Sequence, residues 1–132
     1  MSRLLLDTHL LLWAVGEPKK LPPGARKRIA DSEVFVSAAS IWEVSIKAAL
    51  GKLRADPAEL LAEIEPAGFS LLPITGEHAA AVARLPAVHN DPFDRMLVAQ
   101  AKTEPLLLLT NDSLLVGYGD CVELVRPGPR RK

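Results

Sequence analysis

Short apolar runs recur along this chain with helix-forming stretches between them. Leu4–Leu6, Val34–Val36 and Leu106–Leu109 are each bounded by polar or turn residues. Runs of this length without polar alternation suit strands buried on both faces. Strands separated by helices need crossover connections, which are right-handed and set the strands parallel. The pattern predicts an α/β fold, a three-layer α/β/α sandwich around a central, mostly parallel sheet of four to five strands. At 132 residues the chain holds a single domain, 1–125, followed by a basic tail, 126–132.

Local chemistry sets the element boundaries. Asp7-Thr8 after the first strand reads as a helix N-cap, and the helix His9–Val15 stops at Gly16. Pro22-Pro23 opens a helix over Gly24–Asp31, Ala38–Leu50 is closed by Gly51, and Asp56-Pro57 starts a helix running to Glu65. Phe69–Ile74 is predicted as a strand that lies at an edge or ends at Pro73. Thr75-Gly-Glu-His caps a helix running to Arg84, Phe93–Lys102 forms the next, and Val122–Val125 is the last strand.

Lys and Arg total 16 and Asp and Glu total 16, so no overall charge draws the chain to a polyanion. The longest apolar run, Leu10–Val15, is far shorter than the ~20 residues of a membrane helix. Arg3 before Leu4–Leu6 has the look of an export signal, but Asp7 and His9 interrupt it and no small-residue cleavage site follows. Cys121 stands alone and has no internal disulfide partner. The expectation is a cytoplasmic protein without membrane contact.

In open α/β sheets, ligands bind beyond the carboxyl ends of the strands. Asp7 follows the first strand directly, and Asp112 lies three residues after Leu109. Glu43 lies two turns into the helix after Val34–Val36, while Asp91 and Asp94 stand at the start of a later helix. All can reach the same sheet edge. Taken singly, each has a structural role. Asp7 and Asp112 suit caps, and Asp91 suits a helix entry. Glu43 suits a Ser40-x-x-Glu43 capping box or a pair with Lys47, and Asp94 suits the helix macrodipole. Taken together, converging carboxylates repel one another unless a divalent cation sits between them. Oxygen-only ligands select Mg²⁺ or Mn²⁺, which activate water and stabilise charge on a phosphoryl oxygen, as one ion or as a pair roughly 4 Å apart. The residues point to metal-assisted phosphodiester hydrolysis. An aspartyl-phosphate phosphatase built on Asp7 would want a second acid at the position of His9, and a phosphotransfer receiver would want paired acids at the first strand.

Four motifs, in this order, carry a resemblance to a known family: the opening strand with Asp7-Thr8; Ser40-Ile-Trp-Glu43; His89-Asn-Asp91-Pro-Phe-Asp94-Arg95 through Ala99-Gln100-Ala101; and Leu109-Thr110-Asn111-Asp112. From Leu4 to about Val125 the chain resembles the PIN domain, and more narrowly the VapC-type toxins of type II toxin–antitoxin pairs. The resemblance implies an Mg²⁺- or Mn²⁺-dependent endoribonuclease, neutralised by a cognate antitoxin and commonly a homodimer. Carried over position by position, it implies Asp7, Glu43, Asp94 and Asp112 as catalytic, metal-holding acids. Asp91 is the alternative third acid, one turn earlier. Thr110, and less specifically Thr8, would orient a carboxylate or water.

The remaining candidates divide between function and structure. Arg95 is read first as an ion pair with Asp94 and second as a phosphate clamp. Lys47 and Lys52 flank the mouth of the site, where they would meet RNA phosphates. Arg26-Lys27-Arg28, on the exposed side of its helix, and Arg130-Arg131-Lys132 are the basic concentrations available for RNA. His9, His78 and His89 lack metal-ligand spacing, and His89 at most lines the cleft entrance. Trp13 and Trp42 are read as packing residues, with base stacking on Trp42 as the alternative. Cys121 is read as buried. The apolar face of His9–Val15 serves either the interior or a dimer. The competing function is a catalytically silent α/β binding module that keeps the fold.

Overall fold

In the computed structural model, which describes residues 2–125, five strands lie in one sheet in the order β3-β2-β1-β4-β5. They are β1 (Arg3–Leu6), β2 (Glu33–Ser37), β3 (Ser70–Leu72), β4 (Leu107–Thr110) and β5 (Val122–Leu124). Every neighbouring pair is parallel. The helices are α1 (Thr8–Gly16), α2 (Pro23–Ala30), α3 (Ala38–Ala49), α4 (Pro57–Ile64), α5 (Gly76–Ala81) and α6 (Pro92–Thr103), with 3₁₀ turns at Pro18–Lys20, Val82–Arg84 and Ser113–Tyr118. The predicted basic tail, 126–132, lies outside the described residues.

Burial on both faces explains the unbroken apolar strands. Leu4 and Leu6 pack with Leu10, Leu11, Val34, Val36, Val44 and Leu60, on the side covered by α1 and α4. Leu5 points the other way, to Leu97, Val98, Leu108 and Leu115, on the side covered by α6. In register, Leu5 lies between Phe35 of β2 and Leu108 of β4. The chain leaves β1 for β2 and β3 on one side and returns to β4 and β5 on the other. Strand order therefore reverses between β1 and β4, and the crevice beyond their carboxyl ends is the place such a sheet offers a ligand.

Several expectations change. The third strand shrinks to Ser70–Leu72 at the sheet edge, because Pro73 has no N–H to continue the ladder. The helix expected through Arg84 ends at Ala81 and tightens into a 3₁₀ turn. Its cap forms as anticipated, with His78 rather than an acid reaching back to the Thr75 N–H. The apolar face of α1 is interior, with Leu10 and Leu11 fully buried. Arg28 leaves the basic cluster, its guanidinium forked onto both oxygens of Glu123 at 2.8 and 2.7 Å. Cys121 is only partly buried. No helix among the described residues is long and apolar enough to cross a membrane.

Candidate active site

Asp7 follows β1 and caps α1, with its Oδ1 accepting the Leu10 N–H at 2.8 Å. Its Oδ2 accepts the hydroxyl proton of Thr110, the last residue of β4, and the Thr110 oxygen in turn accepts the Asp112 N–H at 3.0 Å. The two strands share this edge because β1 and β4 pair directly. Asp7 is 5% exposed. Burial pushes its carboxyl above the usual carboxylate range, although the bonds from Thr110 and Leu10 pull the other way.

Glu43 enters from the second turn of α3. The helix is capped by Ser37, whose oxygen accepts the Ala39 N–H at 2.9 Å, so the expected Ser40–Glu43 capping box does not form. Ser40 is buried and lies 2.9 Å from the Thr8 hydroxyl instead. Thr8 donates to Glu43 Oε1 at 2.7 Å, and Lys47 donates to Oε2 at 2.6 Å, one turn along the helix. The i,i+4 pair read from the spacing is therefore present.

The α6 acids have different duties. Asp91 Oδ1 caps the helix, accepting the Phe93 and Asp94 N–H groups at 2.8 and 3.0 Å. Asp94, in the first turn, is free of that task. His89 Nε2 lies 3.1 Å from Asp112 Oδ2 and 3.6 Å from Asp94 Oδ2. Its Nδ1 accepts the Asp91 N–H at 3.0 Å, so the ring proton sits on Nε2 and is donated to Asp112. Among the described residues, His89, Asp94 and Asp112 form the group whose ligand atoms lie within 4.8 Å of one another.

Asp7, Glu43, Asp91, Asp94 and Asp112 all line one cavity of about 410 Å³, together with Thr8, His9, Lys47, Lys52 and Asn111. The acids expected from the motifs share a cleft, but Asp7 and Glu43 stand outside the tight group around His89. The electrostatics record the crowding. Burial, then the charges of Asp91 and Glu43, and more weakly Asp7, push Asp94 up to about 7 against the opposing pull of His89.

Other candidates sit differently from the sequence reading. Arg95 does not pair with Asp94. It donates to the carbonyls of Pro86 and Val82 at 3.1 Å each and to the Tyr118 hydroxyl at 3.2 Å, which ties down the loop leading into α6. Trp42 is not core: it is 59% exposed and meets the edge of Phe93 with ring centroids 5.3 Å apart. Lys52 is exposed at the cavity rim. Tyr118 and the Asp112 contact of His89 were not legible in sequence. The one available signal for His89 was its place two residues before the Asp91 cap.

The PIN domain family model matches residues 4–118, and the chain belongs to that family, whose members are typically nucleases. The fold is shared with the DNA-bound VapBC of Salmonella typhimurium, at 20% identity and TM-score 0.68 over 96% of this chain and 100% of that one. VapBC2 of Rickettsia felis, bound to a promoter DNA fragment, is similar at 12% identity and TM-score 0.65, covering 92% and 96%. A toxin–antitoxin complex of Klebsiella pneumoniae is similar at 16% identity and TM-score 0.64, covering 93% and 98%. No curated protein matches the chain by sequence.

Proposed function

We propose that this chain is a divalent-metal-dependent endoribonuclease, the toxin of a type II toxin–antitoxin pair, acting in the cytoplasm on RNA phosphodiester bonds. The carrying observation is the gathering of five carboxylates in one cavity, where burial first and then the charges of Asp91 and Glu43 push Asp94 up to about 7. Such a set coexists in ionised form only around a cation. The donors fit a hard ion: they are carboxylate oxygens, and His89 keeps its Nε2 proton while Nδ1 accepts the Asp91 N–H. Asp7, Glu43, Asp94 and Asp112 would hold Mg²⁺ or Mn²⁺, with the second oxygen of Asp91 as a further ligand. When bound, the ion supplies charge stabilisation at the phosphoryl oxygen and a more acidic water. The chain's own residues do the positioning. Thr110 holds Asp7, Thr8 holds Glu43, and His89 holds Asp112. Asp94 or Asp112 would accept the proton of the attacking water.

RNA as substrate draws support from the open cleft, the lysines at its rim and exposed Trp42, on which a base can stack. An antitoxin partner is supported by the structural neighbours, which are toxin–antitoxin complexes. A homodimer is supported by the apolar surface left exposed by Trp42 and Ile46 on α3 and by Leu50 just past its end.

The test uses the purified chain with a panel of tRNA, rRNA and mRNA, with and without Mg²⁺, alongside melting temperature as a function of Mg²⁺. Cleavage should require the ion, and the ion should raise the melting temperature by mass action. Asp7→Asn combined with Asp94→Asn should remove both effects. Cleavage indifferent to chelator and to these substitutions would overturn the reading.

A further inference from the structure

We propose that Lys47 is the counter-cation of the metal-free cleft, held on Glu43 until a divalent ion takes that carboxylate and thereafter free to contact a phosphate of the RNA. The inference rests on the metal-nuclease reading above and assigns a coupling that the reading does not contain.

The pair is lopsided. The Glu43 side chain is 8% exposed and anchored to Thr8, whereas that of Lys47 is 46% exposed at the mouth of the same cavity. A buried carboxylate is costly without a cation, and Lys47 is the group that donates to Glu43 Oε2, at 2.6 Å. At the mouth of the cavity the Lys47 ammonium shares its walls with Asp91 and Asp94 as well as with Glu43.

A divalent ion entering the cleft carries twice that charge and binds several carboxylates at once, so it displaces the lysine from Glu43. Glu43 stays in place through Thr8, but the lysine stem is flexible and its head can swing outward. The vacating cation then faces the route by which a phosphate must approach the acids. Metal loading thus converts a cleft that repels RNA into one that presents a positive charge beside the ion. Lys52, exposed at the same rim, has no ion pair among the described residues and does not share this coupling.

The experiment measures Mn²⁺ binding by the paramagnetic resonance signal of the free ion, and RNA cleavage kinetics, for wild type, Lys47→Gln and Lys47→Arg. With its competitor for Glu43 removed, Lys47→Gln should bind Mn²⁺ at least roughly fivefold tighter, while Lys47→Arg stays near wild type. At saturating metal, Lys47→Gln should raise KM for RNA about fivefold and leave kcat within about twofold. Unchanged or weaker Mn²⁺ binding in Lys47→Gln, with normal binding in wild type, overturns the proposal and leaves the nuclease reading standing. A fall in kcat at unchanged KM also overturns it. Failure of wild type to bind Mn²⁺ overturns both.

Discussion

Thr110 donates its hydroxyl proton to Asp7 Oδ2 across 2.5 Å, joining the carboxyl ends of two neighbouring strands from positions 103 residues apart. The same oxygen accepts the Asp112 N–H, so one small side chain sets the spacing between two acids of the cleft. A hydroxyl suits this place because it gives and receives at once.

Thr110→Val keeps the shape and removes both functions. Asp7 is left with the Leu10 N–H in a buried setting, which should cost about 1–3 kcal/mol of stability. The Mg²⁺-dependent rise in melting temperature should shrink with it, and Thr110→Ser should restore most of both. Calorimetry with and without Mg²⁺ checks this, and an unchanged response to the ion in Thr110→Val would remove Thr110 from the site.

The metal-free protein should lose stability as the pH rises from about 4 to 7. Asp94 has its folded pKa raised from 3.8 to about 7, so its contribution is complete below the unfolded value and is lost across the interval in which the unfolded chain is ionised while the fold still holds the proton, the loss being complete above the folded value. At 1.36 kcal/mol per pKa unit, the upper size of the effect is roughly 4 kcal/mol. Asp94→Asn should flatten this part of the profile and be more stable than wild type at pH 8. Denaturant unfolding of both proteins at pH 5 and pH 8, in chelator, measures the difference, and parallel profiles would contradict the assignment.

The tautomer of His89 is a separate expectation. With Nδ1 accepting the Asp91 N–H, the neutral ring should carry its proton on Nε2, which nitrogen-15 shifts of the metal-free protein report directly. His89→Ala should lower metal-dependent cleavage about tenfold through misplacement of Asp112, less than loss of the acids themselves. A proton on Nδ1 would mean the loop hydrogen bond is absent.

Arg95 should matter for stability and not for RNA. Its guanidinium holds the backbone carbonyls of Val82, Pro86 and His89 and the Tyr118 hydroxyl, so Arg95→Ala should cost about 2–3 kcal/mol. Under conditions where the variant is folded, its KM for RNA should match wild type. A large rise in KM without destabilisation would restore the phosphate-clamp role.

Much of this molecule was written locally. The apolar triplet Leu4–Leu6, the caps at Asp7, Asp56, Thr75 and Asp91, and the i,i+4 spacing of Glu43 and Lys47 depend on neighbours within a turn or a strand. Periodicity and short-range hydrogen bonding therefore sufficed to predict the layered fold, and to place acids at strand ends and helix starts. The adjacency of β1 and β4 is a different matter, because it brings residues a hundred positions apart within bonding distance and is decided by which strands pair. Only the tertiary structure could hand Asp7 to Thr110, turn the Arg95 fork toward Tyr118 instead of Asp94, and leave Trp42 in solvent beside Phe93. Side-chain partners across a sheet edge are chosen by packing geometry, which no local pattern encodes.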